Sequence, residues 1–182
     1  MSKDMSVAEY FERIVPKLIS SGMADASADV ADQPEFTAVY DITGTDGGMY
    51  GLRIEGGSVK VTSGDIPESD MRTVISVEHW RQGMTEDDVD PAIHYALRGK
   101  VRVIQGLKGA LKVDLTREDD STYESTIIFG NTDTPEVTIL MTAEDYVAMM
   151  RGDLNSQMAF MTNKLKFEGS LPLLMQLQAL NM

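Results

Sequence analysis

Few residues in this chain have both the type and the spacing that catalysis or metal binding needs. The sequence has no cysteine, which excludes disulfides, thiolate metal sites and a cysteine nucleophile. Its two histidines, His79 and His94, lie in predicted helices and in no metal-spacing or nucleophile motif. The acidic run "TEDDVD" at 85–90 lacks the glycine and the terminal glutamate of a calcium loop. We therefore predict no catalytic residue, no metal site and no cofactor.

One carboxylate keeps an enzymatic hypothesis open. An apolar cavity could raise the pKa of Asp145, beside Tyr146, enough for proton abstraction next to a carbonyl. The sequence places no second catalytic group there, and Glu144 to Tyr146 fit the first turn of a helix. An enzyme is the weakest of the hypotheses.

Three polar side chains near the C-terminus suit ligand recognition better than catalysis. Gln157 in "SQMAF" is placed to orient a ligand head group, or it starts a helix and bonds its own backbone. Lys164 and Lys166 alternate with apolar residues in "NKLKF", which predicts a solvated strand face. The same two cations could attract a carboxylate or a CoA phosphate at the mouth of a cavity.

The segment around these polar residues is rich in methionine and leucine. Seven of the thirteen methionines lie at or after Met141, and methionine repacks readily around ligands of varied shape. In the last predicted helix the polar positions are only Gln176, Gln178 and Asn181, so that helix has two apolar faces. The pattern fits either a filled core or the lining of a cavity.

The elements that position these residues follow an α+β pattern. An amphipathic helix is predicted at 6–20, with Ser6 and Glu9 in capping-box spacing and a kink or an early end at Pro16. Short strands separated by glycine turns follow, as in an antiparallel sheet. The strands are predicted at 36–44, 48–54, 57–64, 71–77, 110–119 and 121–130, and the helices between them at 78–84 and 91–97. A short strand is predicted in "KVRVI" at 100–104.

Two stretches repeat one order of elements: an apolar strand, a capping residue, which is Ser76 or Thr142, and a helix. Glu78 and Glu144 lie in the first turns of these helices, 66 residues apart, and "GKVRV" matches "NKLKF" as a later strand. This order predicts an internal duplication. We expect a complete unit at 1–106 and a unit without the first helix at 107–182. The absence of a linker between them favours a shared sheet or tight docking.

The stretch "MMRGDLNSQMAFMTNKLKFEGSLPLLMQLQAL" resembles the C-terminal signature of the sterol carrier protein type 2 (SCP2) family. That signature has a helix ending in Gly, Asn-Pro-Gln before an Ala-Phe helix, a Gly-Lys-Leu-Lys strand, a Gly and a final Leu/Met helix. The match is close over 137–180 and extends to 36–113 only as a pattern. Ser156 stands in place of the usual Pro, Asn163 replaces a Gly, and Pro172 interrupts the "GSLPLL" segment.

The resemblance implies a mostly antiparallel five-stranded sheet, partly duplicated here, with helices on one face. Between them it implies an apolar tunnel for fatty acid, acyl-CoA, sterol or isoprenoid. A long acyl chain would gain about 0.8 kcal/mol per buried methylene in such a tunnel. The residues expected to bind the lipid are Met149, Gln157, Met158, Phe160, Met161, Leu165, Phe167, Leu171, Leu174, Met175 and Leu177.

Composition limits the partners. A net charge of −13 argues against nucleic acid and against stable docking on anionic membranes, which leaves at most transient membrane contact. No signal peptide, membrane span or peroxisomal Ser-Lys-Leu ending is evident, so we expect a cytoplasmic protein. The leading hypothesis is a non-catalytic lipid carrier. The alternative is a scaffold with a closed cavity, in which the helix "LPLLMQLQAL" docks on a partner or forms a homodimer.

Overall fold

The computed structural model of the chain describes residues 5–24, 32–56, 58–83 and 99–180. The first element is helix α1, which consists of Val7–Glu9, a π-helical turn at Tyr10–Ile14 and Val15–Ala24. The Ser6 hydroxyl accepts a hydrogen bond of 3.1 Å from the Glu9 N–H, so the predicted cap is confirmed. The helix does not end at Pro16. The wider π-helical turn lies directly before it, where the proline ring would otherwise crowd a carbonyl of the preceding turn.

Eight strands of the described residues form one mixed sheet, so the fold is α+β as predicted. The strands are β1 (Phe36–Thr43), β2 (Gly48–Glu55), β3 (Ser58–Ser63), β4 (Met71–Ser76), β5 (Gly109–Thr116), β6 (Thr122–Phe129), β7 (Glu136–Thr142) and β8 (Lys166–Gly169). Their order across the sheet is β3-β2-β1-β4-β6-β5-β7-β8, with parallel pairs at β1–β4 and β5–β7. The expectation of a five-stranded sheet was therefore wrong in strand number.

The remaining helices connect these strands. They are α2 (Val77–Gly83), α3 (Val101–Gly106), α4 (Ala143–Arg151), α5 (Ser156–Met161) and α6 (Leu171–Leu177), with a 3₁₀ turn at Gln178–Leu180. The helix predicted at 91–97 lies outside the described residues. The strand predicted at 100–104 was wrong, because that segment is α3, where Val101 and Ile104 are buried three residues apart.

The two halves of the sheet share part of their topology. β1 pairs antiparallel with β2 and parallel with β4, and β5 pairs antiparallel with β6 and parallel with β7. The free side of β7 takes β8, whereas the corresponding side of β4 takes β6 from the other half. The strand expected at 100–104 therefore has no vacant edge beside β4. The internal duplication is not confirmed, and the division into two units stays a prediction.

The helices and the core lie on one face of the sheet. The ring of Phe11 in α1 stacks on Tyr50 with centroids 4.6 Å apart, and it also contacts Tyr40 and Trp80. Tyr40 shares its face with Ala38, whose register partner in β4 is Met71. Aromatic rings thus fill the core beside β1 and β2, and Met71 marks where this aromatic core gives way to the C-terminal half.

Candidate functional site

A cavity of about 50 Å³, partly open to solvent, lies between the sheet and the helices of the C-terminal half. Its lining is mostly apolar. From the sheet come Met71, Leu111, Ile127, Phe129 and Ile139, and from the helices and their connections Tyr146, Met149, Met150, Ser156, Leu165, Leu174, Leu177, Gln178 and Leu180. The cavity can hold a few water molecules but not an enclosed lipid, for which pockets measure several hundred Å³.

Helix α4 brings two methionines to the cavity. It begins at Thr142, whose hydroxyl accepts a hydrogen bond of 3.1 Å from the Asp145 N–H, as the sequence predicted. It ends at Gly152, which has a φ of 85° and suits a left-handed helix cap. Between these ends Met149 and Met150 are buried against the cavity.

Helix α5 and the turn after it set the position of Leu165. The Asn155 side chain caps α5 by accepting hydrogen bonds from the N–H groups of Gln157 and Met158, at 2.9 and 3.3 Å. After the helix Asn163 has a φ of 64°, a conformation that glycine and asparagine tolerate best. Asn163 therefore keeps the turn that Gly makes in the family pattern. Leu165, two residues later, lines the cavity.

Helix α6 closes the cavity from the C-terminal side. Ser170 caps it, and Pro172 lies within its first turn, where proline is compatible with a helix. The preceding Gly169 has a φ of 99°, and a Cβ there would lie 2.5 Å from the carbonyl oxygen of Glu136. Only glycine fits this approach, which sets the direction in which Leu174 and Leu177 enter the cavity.

The structure brings four of the eleven predicted lipid-binding residues into the cavity lining. These are Met149, Leu165, Leu174 and Leu177. The other seven lie outside it. Gln157, Met158, Phe160, Met161, Leu171 and Met175 are exposed, and Phe167 is half-buried with its ring centroid 5.8 Å from that of Phe160. Lipid contact at any of the eleven stays a prediction.

Half of the cavity-lining residues that the sequence reasoning missed come from the strands. Met71 in β4 lies opposite Phe129 in β6, so two strands far apart in the sequence form one wall of the cavity. The signal for these residues is strand alternation, since Ile127 and Phe129 are two apart and share a face. Alternation alone does not show which strands are neighbours, and the wall depends on that pairing.

The electrostatics of the site contradict the premise of the enzymatic hypothesis. The Lys164 Nζ lies 2.7 Å from the Asp145 Oδ1, and this hydrogen bond holds the pKa of the Asp145 carboxyl below its usual value. The same contact raises the pKa of Lys164. The enzymatic hypothesis required a raised pKa at Asp145, so that its carboxylate could take a proton next to a carbonyl. Lys164 lowers that pKa instead.

The described residues that line the cavity include no charged side chain. Tyr146, Ser156 and Gln178 are its polar members. His79 lies elsewhere, with its Nδ1 3.1 Å from both the N and the O of Glu124 in β6. In the part of the chain that the structure describes, no cluster of three or more His, Asp or Glu side chains could hold a metal ion.

Comparison with known proteins identifies the C-terminal half. Residues 97–181 match the model of the SCP-2 sterol transfer family. No curated protein sequence matches the chain. Among solved structures, a UbiJ-SCP2 ubiquinone synthesis protein is 8% identical with a TM-score of 0.27, and the match covers 92% of this chain and 89% of that one.

Two further solved structures are similar to the chain. The sterol carrier protein domain 2 of Helicoverpa armigera is 16% identical with a TM-score of 0.26, over 97% of this chain and 90% of that one. Apo sterol carrier protein 2 from Yarrowia lipolytica is 11% identical with a TM-score of 0.22, over 95% and 81%. These identities and TM-scores are too low to indicate a function. The likeness to the family is therefore shown by the sequence match of residues 97–181.

Residues 97–181 match the SCP-2 sterol transfer family model, which agrees with the resemblance predicted from the sequence. This range contains α3 to α6 and strands β5 to β8, and all but one of the described cavity-lining residues. Of the described helices, none has the length and hydropathy to cross a membrane.

Proposed function

We propose that the protein binds an apolar lipid in the C-terminal cavity and carries it without catalysis. The observation that supports this most is the lining itself, in which strand and helix side chains of the family segment surround space with leucine, isoleucine and methionine. A well-filled core would leave no such space, since protein interiors pack to crystal-like density. Residues 97–181 match the model of a sterol transfer family, which agrees with this role.

The cavity must enlarge when the lipid enters. At about 50 Å³ it is several times smaller than pockets that enclose a small molecule. Met71, Met149 and Met150 supply the adaptable part of the wall, because methionine has three rotatable side-chain bonds. Helix α6 supplies the movable part, since it is seven residues long and enters through the left-handed Gly169.

The polarity of the cavity favours a neutral lipid over an anionic one. The cavity-lining residues of the described chain offer hydrogen-bonding side chains at Ser156 and Gln178 but no cation to pair with a carboxylate or phosphate. Lys164 pairs with Asp145 instead. A sterol or isoprenoid hydroxyl or carbonyl therefore fits better than a fatty acid or acyl-CoA.

The test is native mass spectrometry of the purified protein, followed by denaturing extraction and lipid analysis. A bound neutral lipid is expected, and its loss in Leu174→Trp would place it in the cavity, because the indole ring fills the space. Gln176→Trp is the matched control, since Gln176 is exposed on the same helix and a ring there leaves the cavity open. A ligand-free protein that also takes up no delivered sterol or fatty acid contradicts the proposal.

A second function has one specific observation in its favour. Five of the large apolar side chains that are exposed in the described residues lie between positions 158 and 175, and such a surface is often buried in an interface. A scaffold or homodimer would use it without any ligand. Analytical ultracentrifugation separates this alternative, because a homodimer that binds no lipid would support it.

A further inference from the structure

The polar residues among the described cavity-lining side chains differ in how free they are to meet a ligand. They are Tyr146, Ser156 and Gln178. Tyr146 already takes part in another interaction within the protein. Among the residues that the structure describes, none forms a hydrogen bond with the hydroxyl of Ser156 or the side-chain amide of Gln178. Ser156 and Gln178 are therefore the groups with a hydrogen bond to offer a ligand.

The hydroxyl of Ser156 is not used to cap its own helix. Helix α5 begins at Ser156, but the cap is the Asn155 Oδ1, which accepts hydrogen bonds of 2.9 and 3.3 Å from the N–H groups of Gln157 and Met158. The Ser156 side chain is half-buried and borders the cavity. A hydroxyl that loses water without gaining a partner costs free energy, which a hydrogen bond to a ligand would recover.

Ser156 is also the more rigid of the two available groups. Its hydroxyl is a single side-chain torsion away from a backbone that the Asn155 cap holds in place. Gln178 lies in the 3₁₀ turn after α6 and carries its amide on three torsions, so it loses more rotamer freedom when it binds. A group that is already held in place binds at a lower entropic cost. Ser156 is therefore better suited to select a ligand.

The place of α5 at the edge of the sheet sets the direction in which a lipid would lie. The carbonyl oxygen of Ala159 in α5 accepts a hydrogen bond of 3.0 Å from the N–H of Leu165, directly before β8. On the far side of the cavity Met71 lies in β4, and β6, β5 and β7 separate β4 from β8. Four strand spacings of about 4.8 Å place β4 and β8 about 19 Å apart. A lipid with its polar end at Ser156 would lie across the strands, with its apolar end toward Met71.

From these observations we propose that Ser156 selects the lipid by forming a hydrogen bond with a single terminal hydroxyl or carbonyl group. A serine hydroxyl both donates and accepts, so it pairs with either group. A lipid of the same shape without the polar group leaves the Ser156 hydroxyl unpaired in the closed site and binds more weakly. This selectivity rests on the proposed lipid carriage, and it adds the residue that selects the lipid and the direction in which the lipid lies.

The test is a competition, on the full chain, between a lipid alcohol and the hydrocarbon of the same skeleton. The pairs are cholesterol with cholestane and phytol with phytane. Delipidated protein is loaded from cyclodextrin with equal amounts of both members, and the bound lipids are extracted and quantified by gas chromatography and mass spectrometry. Because the ratio of bound alcohol to bound hydrocarbon is compared between variants, unequal delivery of the two lipids cancels.

Ser156→Thr and Ser156→Val are the decisive variants, because their new side chains have nearly the same shape and differ in the hydroxyl. Ser156→Thr should keep the wild-type ratio, and Ser156→Val should lower it about tenfold in favour of the hydrocarbon. Ser156→Ala should give the same fall, which separates loss of the hydroxyl from the bulk of valine. Circular dichroism checks that all three variants keep the fold.

Three results overturn the proposal. The same ratio in wild type, Ser156→Thr and Ser156→Val leaves lipid carriage standing and removes selection by Ser156. A fall in Gln178→Leu without a fall in Ser156→Val assigns the polar end of the lipid to the turn after α6. Protein that binds neither member of either pair contradicts lipid carriage itself, and selection by Ser156 with it.

Discussion

The two halves of the sheet carry the same arrangement of a hairpin and a parallel third strand, yet their cores differ. Beside β1 and β2 the rings of Phe11, Tyr40 and Tyr50 fill the space under α1. Beside β5 and β7 the corresponding space is lined mostly by methionine, leucine and isoleucine, together with Phe129 and Tyr146, and contains a cavity. Rigid rings with two side-chain torsions fix one packing, whereas methionine allows several. Under the proposed function, we expect the N-terminal half to stabilise the fold and the C-terminal half to adapt to the ligand.

The largest effect is expected from removing a ring of the N-terminal core. Phe11→Ala should lower the free energy of unfolding by about 3–5 kcal/mol, because Phe11 is only 1% exposed and stacks on Tyr50. Met149→Ala should cost about 2 kcal/mol, at the low end for such changes, since that side chain already borders empty space. Urea denaturation measures both. Equal losses would contradict the difference between the two cores.

Added volume should have opposite effects in the two halves. Val15→Phe should destabilise the protein by about 1–3 kcal/mol, because Val15 is fully buried in the N-terminal core. Leu174→Phe should leave stability unchanged or raise it, because the ring enters the cavity. Thermal denaturation measures the shift in Tm. A similar fall in both variants would show that the cavity is no more tolerant than the aromatic core.

A bound lipid should stabilise the protein through the C-terminal half alone. At a free concentration about 100 times its Kd, a ligand adds about 2.7 kcal/mol to the free energy of unfolding. Wild-type protein with a sterol should show this gain and Leu174→Trp should not. The gain is measured as a Tm shift against lipid concentration. A gain of the same size in both proteins would place the lipid outside the cavity.

The smallest effect concerns the ion pair beside the cavity. Lys164→Met should lower stability slightly and only over a range of pH. The pKa of Asp145 is lowered from 3.8 in the folded protein. The Asp145 carboxylate therefore stabilises the fold above its pKa in the unfolded chain, and this stabilisation is lost as the pH falls through its pKa in the folded protein. The pKa of Lys164 is raised from 10.5 in the folded protein, so the stabilisation by its ammonium group is lost as the pH rises through that raised pKa. The difference from wild type should form a plateau between about pH 4 and pH 10.5.

A surface ion pair gives the control for that pH profile. Lys112→Met removes the contact of Lys112 with Glu136, which spans 2.9 Å between side chains that are both nearly half exposed. The Asp145 side chain is 17% exposed, so its pair is less screened by solvent. The Lys112 variant should therefore change stability less. A larger change in stability in Lys112→Met than in Lys164→Met would contradict the conclusion that the Lys164–Asp145 pair is the less screened of the two.

The parts of the fold that the sequence predicted are those set by local chemistry. Ser6 and Thr142 cap helices because their hydroxyls reach an N–H within the same turn, and glycine turns separate β1, β2 and β3. The segment at 100–104 shows that local sequence pattern alone does not determine every element. Its residues alternate like a strand, but Val101 and Ile104 are also three apart, and the strand pairing of β4 with β6 decides between the two.

The candidate site was predicted in part for the same reason. Leu174 and Leu177 follow from helical spacing, whereas Met71 and Phe129 meet only through a strand pairing that no short stretch specifies. Phe160 and Met161 were expected inside because they are apolar. Helix α5 is only six residues long and ends in four consecutive apolar residues, so its inward face cannot be identified from composition.

The most direct test follows the methionine methyl groups by NMR while a sterol is titrated into delipidated protein. The methyl signals of Met71, Met149 and Met150 should shift, because these side chains line the cavity. The signal of Met49 should not, because Met49 lies in β2 in the other half of the sheet, on the face opposite Tyr50, with its sulfur 3.9 Å from the Arg72 guanidinium. This result would place the ligand in the C-terminal cavity. Signals that stay fixed at all three cavity methionines, or that move at Met49 instead, would contradict it.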